Sequence, residues 1–303
     1  MNSPKQVDPS LPRLDTGPPE DPALPERSAV RRAFDAAAAD YEAHAVMQNE
    51  VCDRLVERLD LTTVEPEVIL DLGAGTGRGA AALRRRCRGA TVMPMDLSER
   101  MLAIARHRAG WFRRMRPVCA DISNLPVASD SVDLVFSSLG LQWVADQPRA
   151  FREVRRVLKP QGLFLFTTFG PDTLTELRQS WAAADDQPHV NTFPDMHDIG
   201  DELVRSGLAE PVMDVEHFTL TYERLRDLMA DLKRIGAHNV TSGRRRSLTG
   251  PGRMRRVAEA YEAFREEGRL PATYEVVYGT AWAPRRAEVG RAGGAGADSE
   301  RAP

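Results

Sequence analysis

The sequence predicts an α/β fold in which a mostly parallel sheet carries helices on both faces. Three observations point to it. Short apolar runs alternate with helical stretches between residues 68 and 168. The first run, Val68 to Leu72, opens into the glycine-rich turn Gly73-Ala74-Gly75-Thr76-Gly77. The next two runs each lead into an acid, Asp96 and Asp121. Strands alternating with helices are covered on both faces, and such sheets place their ligands at the carboxyl ends of the strands.

Residues 1 to 28 hold seven of the 21 prolines and almost no large apolar side chains. This is the composition of a disordered leader, and it lacks the apolar core of a signal peptide. A Gly/Ala-rich tail, 285 to 303, is likewise expected outside the fold. With 42% hydrophobic residues and a net charge of -3, the chain can bury a core and is no wholly basic nucleic-acid binder. Cys52, Cys87 and Cys119 are scattered without C-x-x-C spacing, so reduced thiols are expected and no zinc site. No apolar run approaches the roughly 18 residues of a membrane span. A cytoplasmic location is expected.

In chain order, Ser28 reads as an N-cap, and Val30, Phe34, Ala38, Tyr41 and Ala45 share a helical face. That face either packs a core or covers the mouth of a pocket, with Tyr41 and Gln48 turned inward. Gly77 to Cys87 predicts a helix, Thr91 to Met95 a strand, Ser98 to Arg108 a helix, Asp133 to Ser137 a strand and Gln147 to Leu158 a helix. Lys159-Pro160-Gln161-Gly162 reads as a helix-stopping turn before a strand over Leu163 to Thr168. A further helix starts in Phe169 to Arg178, and His189 to Gly200 leads into another. Val212 to Thr221 and Thr273 to Trp282 have the alternation of antiparallel partners. The helical stretch between them is far too long for a hairpin turn and reads as a lid or docking surface spanning 222 to 268.

Glycine lets bare backbone approach a ligand, so the turn at 73 to 77 serves a dinucleotide, a methyl donor, or simply a strand-to-helix corner. Asp96, at the end of the second strand, is suited to accept both ribose hydroxyls, and Asp121 with Ile122 suits an adenine amino group and ring. Asp71, directly before the glycines, would repel a pyrophosphate but suits an ammonium group. S-adenosylmethionine therefore fits better than NAD.

The motifs Leu70-Asp71-Leu72-Gly73-Ala74-Gly75-Thr76-Gly77, Met95-Asp96-Leu97-Ser98 with Met101, Ala120-Asp121-Ile122, Asp133-Leu134-Val135-Phe136 and Val157-Leu158-Lys159-Pro160-Gln161-Gly162 resemble, in order, those of class I methyltransferases. The resemblance implies a Rossmann-like, mostly parallel seven-stranded sheet with an antiparallel last strand and the helical insertion before it. It also implies S-adenosylmethionine as cofactor, held by Asp71, Gly73, Ala74, Gly75, Gly77, Asp96, Leu97, Met101, Asp121, Ile122, Ser138, Tyr41 and Gln48.

The second half is more particular. Thr173-Leu174, Glu176-Leu177-Arg178, Asp195 to Gly200, Asp231 to Asn239 and Leu270 to Tyr274 resemble the malonyl-acyl-carrier-protein O-methyltransferases of biotin synthesis over residues 29 to 284. That resemblance implies methylation of the free carboxylate of a malonyl thioester. Such a carboxylate is ionised at neutral pH, so no general base is expected, only proximity and alignment. Tyr41, Gln142, Trp143, Arg178 and His197 are the candidate substrate contacts. Lys233, Arg234, Arg244, Arg245, Arg246, Arg253, Arg255 and Arg256 lie in a stretch without acids and are expected either to receive an acidic carrier protein or to form a solvated basic face. Two other readings stay open: methylation of another small carboxylate or a quinone precursor, and a related assembly-factor class that resembles the chain across Tyr261, Phe264 and Pro271 to Tyr274 and hydroxylates a protein partner.

Overall fold

A computed structural model describes residues 25–108, 115, 117–185, 187, 189–237 and 250–285. Helices α1 (Arg27–Ala37), α2 (Tyr41–His44) and α3 (Val46–Glu57) precede the sheet. There follow β1 (Val68–Leu72), α4 (Arg78–Arg86), β2 (Thr91–Asp96), α5 (Glu99–Arg108), β3 (Val118–Cys119), β4 (Val132–Ser138), α6 (Gln147–Val157) and β5 (Leu158–Phe169). The chain continues through α7 (Thr175–Ala182), α8 (Met196–Arg205), β6 (Ala209–Tyr222), α9 (Leu225–Arg234), α10 (Pro251–Glu262) and β7 (Leu270–Trp282).

The seven strands form one sheet in the order β3-β2-β1-β4-β5-β7-β6. β1 to β5 are parallel, and β7 runs antiparallel to both β5 and β6. This is the mostly parallel sheet with a reversed last strand that the sequence predicts. Alternation along each strand divides the interior in two. Ile69, Leu134, Phe136 and Leu165 face a core shared with α3, α4, α7, α9 and α10. Leu70, Leu72, Val135, Phe164 and Phe166 face one shared with α6 and α8. The insertion is thus built into the main core: Leu225, Leu228 and Leu232 of α9 and Val257 and Tyr261 of α10 are buried in it.

Several boundaries move for tertiary reasons. The predicted N-terminal helix breaks after Ala37 and again at Ala45, so that the chain bends across the strand ends, and Glu26 rather than Ser28 is its N-cap residue. The expected leader boundary at 28 therefore falls inside α1. Lys159-Pro160-Gln161-Gly162 is not a free turn: β5 begins at Leu158 and absorbs these residues as a register shift opposite Val132 and Leu134, with Gln161 at φ 64° and Lys159 paired to Asp133 at 2.8 Å. α7 starts at Thr175, inside the predicted stretch Phe169 to Arg178, directly after Leu174, which donates its N–H to Thr273 O (2.6 Å) and is held at φ 56°. The three cysteines are free thiols. Among the described residues no helix is long and apolar enough to cross a membrane.

Phe164, Phe166 and Phe151 pack as an aromatic group, with the rings of Phe164 and Phe166 stacked 4.6 Å apart. A Cβ at Gly279, opposite Phe166 in the β5–β7 ladder, would overlap the Phe166 ring. Gly279→Ala is therefore expected to cost about 1–3 kcal/mol of stability, measured by urea denaturation.

Candidate active site

A cavity of about 310 Å³ opens at the carboxyl ends of β1, β2, β3 and β4 beneath α1 and α2. The glycine turn forms part of its wall. Gly73 and Gly75 adopt φ of 70° and 53°, and a Cβ on Gly75 would meet nothing within 4 Å, so a side chain there would project from the turn into open space. Asp96 holds this turn: Oδ2 accepts from Gly75 N–H (2.8 Å) and Oδ1 from Ser98 N–H (2.7 Å). Burial pushes its carboxyl above the ordinary range, while the Ser98 and Gly75 bonds pull the other way.

Of the residues expected at a cofactor site, Tyr41, Gly73, Gly75, Asp96, Leu97, Met101, Asp121, Ile122 and Ser138 line this cavity, and Trp143 of the expected substrate contacts joins them. Leu97, Met101 and Ile122 supply apolar surface beside the two acids. Phe34 stands edge-on to Trp143 (5.3 Å) and Tyr41 (6.5 Å), making one aromatic wall. Burial, then the charges of Asp96 and Glu42, raise the Tyr41 phenol well above its usual value, so it remains a hydrogen-bond donor at neutral pH.

Other expected residues lie elsewhere. Asp71 is buried beneath the turn, not in the cavity wall. It is two residues from Ile69, so strand alternation turns it to the face under α4, where it accepts from Ala80 N–H and a Cβ on Gly79 would lie 3.2 Å from Oδ2. Oδ2 has no hydrogen-bond partner among the described residues. Ala74 donates to Met95 O, and Gly77 packs against Ala105. Gln48 is half-buried on α3 and absent from the lining. Gln142 is buried and donates to Leu139 O (2.7 Å), fixing the turn after β4. Arg178 ties a different turn, donating to Pro171 O (2.6 Å), Thr173 O (3.0 Å) and Asn191 O (3.4 Å). His197 is exposed at the start of α8, against the capping Asp195.

Arg27, Leu139, Gly140 and Arg149, none of them among the expected site residues, also line the cavity, as does Phe34 of the helical face expected over a core or a pocket. Arg27 was placed in the leader. It pairs with Asp121 (3.1 Å), whose other oxygen accepts from Ser123 N–H (2.8 Å). A complementary charge pattern between residues 27–35 and 98–121 is the signal that would have found it, since Arg31 pairs with Glu99 (3.1 Å) and Asp35 accepts from Ser98 Oγ (2.6 Å). α2 is fastened likewise: Glu42 accepts from Thr76 Oγ1 and pairs with Arg108 (2.7 Å), which donates to Thr76 O (3.1 Å).

The donor set fits a sulfonium nucleoside. Backbone bared by Gly75, the Asp96 carboxylate and flanking apolar side chains suit a nucleoside, and the aromatic wall suits a cationic sulfur. Removing the Asp96 carboxylate (Asp96→Ala) should weaken S-adenosylmethionine binding about 10- to 100-fold by calorimetry. Burial, then the nearby Asp96, raises the Asp71 pKa to about 7 from an ordinary 3.8. Folding thus favours its neutral form, and its contribution to stability is complete below the unfolded value and lost as pH rises through 7. Asp71→Asn should flatten this fall, read by urea unfolding at about pH 5 and pH 8.

Comparison with known proteins agrees with this site. A methyltransferase-domain family model matches residues 70–166. A malonyl-[acyl-carrier protein] O-methyltransferase of Gallionella capsiferriformans is 49% identical over 265 residues, covering 86% of this chain and 91% of that one. Its namesake in Halorhodospira halophila is 51% identical over 276 residues, 89% and 94% of the two chains. Among solved structures, a Bacillus halodurans methyltransferase superposes with TM-score 0.56 at 18% identity, over 77% of this chain and 99% of that one. Haemonchus contortus phosphoethanolamine N-methyltransferase 2, solved with S-adenosyl-L-methionine, gives 0.54 at 19%, over 84% and 60%. These two share the fold. The sequence kinship covers far more of the chain than the family model does, and the chain belongs to the malonyl-[acyl-carrier protein] O-methyltransferase family.

Proposed function

We infer that this chain methylates the free carboxylate of a malonyl group carried on acyl carrier protein, the step that masks the charge and primes pimeloyl synthesis for biotin. The observation that carries the reading is the kinship of about half the residues along nearly the whole of both chains, rather than over the cofactor half alone. S-adenosylmethionine, when bound, supplies a methyl group on a positively charged sulfur. The chain's own residues bind and orient. Gly73, Gly75 and Asp96 hold the nucleoside end, and Phe34, Tyr41 and Trp143 wall the reacting end and exclude water. The incoming carboxylate is already ionised, so no residue removes a proton. Tyr41, protonated at neutral pH, donates a hydrogen bond that steers the carboxylate without quenching it. Gln142 and Arg178 act by fixing the turns after β4 and β5, and His197 by bonding the Asp195 cap of α8.

The same reading assigns carrier docking to the basic face of α9 and α10. Three of its cations are partly engaged within the protein: Arg234 with Asp231 (3.4 Å), Arg253 with Asp185 (3.1 Å) and Arg256 with Ala184 O (3.1 Å). Lys233 and Arg255 show no such partner among the described residues, and Arg244, Arg245 and Arg246 lie outside them. These cations suit an acidic carrier.

Incubation with labelled S-adenosylmethionine and, separately, malonyl-carrier protein, malonyl-coenzyme A and free malonate tests the function; transfer to none of them overturns it. Tyr41→Phe should lower kcat about tenfold with little change in cofactor affinity, the scale expected for one lost hydrogen bond to a charged group. Lys233→Glu with Arg255→Glu should lower kcat/KM for the carrier-bound substrate about tenfold at low salt, less at high salt, and leave malonyl-coenzyme A turnover unchanged.

A further inference from the structure

Away from the cavity, the side chains of Asp172, His217 and Glu275 converge so that their ligating atoms all lie within 4.8 Å of one another. Three separate segments supply them: the turn between β5 and α7, β6 and β7. His217 and Glu275 are directly opposed in the β6–β7 ladder, so both side chains project from the same face. The turn brings Asp172 over them, its N–H donating to Glu275 Oε2 (2.7 Å) and Gly170 N–H to Glu275 O (2.9 Å). Any side chain at Gly170 would overlap the Glu275 carboxyl, so glycine there makes room for the acid.

Glu275 is only 7% exposed. Among the described residues no basic side chain pairs with it within 4.0 Å, and its carboxyl accepts one hydrogen bond, that from Asp172 N–H. A buried carboxylate beside a second carboxylate, with no counter-ion, is costly. His217 Nε2 stands 3.5 Å from Asp172 Oδ2, long for a charge-assisted hydrogen bond. It is close to the roughly 3.4 Å edge of a tetrahedron built on metal–ligand bonds of about 2.1 Å.

We propose that Asp172, His217 and Glu275 bind one divalent transition-metal ion, for which one imidazole and two carboxylates form a nitrogen–oxygen donor set of the kind zinc and manganese take. Three protein ligands leave room for water. The ion neutralises the buried acid and staples the last two strands to the turn before α7. This site is independent of the methyl-transfer chemistry.

The full chain, freed of any histidine tag and stripped with chelator, is titrated with ZnCl2 and separately with MnCl2 by calorimetry, with thermal unfolding in parallel. The expected result is one equivalent of at least one ion, bound more tightly than about 100 µM, and a rise in Tm of about 5–10 °C at hundredfold excess over Kd. Asp172→Ala and His217→Ala change exposed residues, and circular dichroism checks their fold. Each should weaken binding at least tenfold and abolish the Tm rise, while Cys119→Ser, which removes an exposed thiol, should leave both intact. Binding weaker than about 100 µM for both ions, or binding that survives both ligand variants unchanged, overturns the proposal.

Discussion

The site depends on one hydrogen bond, from the Gly75 amide to Asp96 Oδ2. It joins the end of β1 to the end of β2 and holds the glycine turn with its bare backbone facing the cavity. The turn needs this help, because two positive φ angles within three residues are set against the conformational entropy of glycine. Glu42 and Arg108 grip the same turn from the other side, through the Thr76 hydroxyl and carbonyl. A mobile loop is thereby made into a preorganised surface, which a mechanism without acid–base chemistry requires.

What could be read in advance follows period and proximity. Strands β1, β2, β4 and β5 announce themselves as apolar runs between turn signals, and the acids at their ends were legible because a parallel sheet collects its carboxyl ends. Asp71 shows the limit of that argument. Its place beside the glycines suggested a ligand contact, but strand alternation gave it to the opposite face, under α4. The Lys159–Gly162 stretch was misread for another reason. Its conformation is imposed by a partner distant in sequence, the β4 ladder, which no local pattern reveals. Arg27 was lost among the prolines of the leader, although Asp121 is its partner across the sheet edge.

The motifs that carry the family likeness outside the cofactor half meet in space. Leu174 bonds Thr273 through the backbone, Thr173 Oγ1 accepts from Glu275 N–H and donates to Glu275 O, and Glu176 accepts from the N–H and hydroxyl of Thr273. Two stretches about a hundred residues apart thus form one polar seam joining α7 to β7, and α10 packs along it through Tyr261, whose hydroxyl donates to Pro271 O (2.8 Å). The described helices of the insertion, α9 and α10, are thus anchored to the sheet through the main core.

The small side chains of α1 give the entrance a different character. Val30 and Ala33 form, with Phe34, Leu97 and Trp143, a cluster separate from both main cores, and α1 is held further by ion pairs and hydrogen bonds at Arg27, Arg31 and Asp35 and by the approach of Ala33 and Phe34 to Gly236. Opening α1 would therefore leave the two main cores packed, the arrangement from which a unit of lower local stability than the sheet is expected. The protein separates the free energy that keeps it folded from the much smaller amount that admits and releases its ligands.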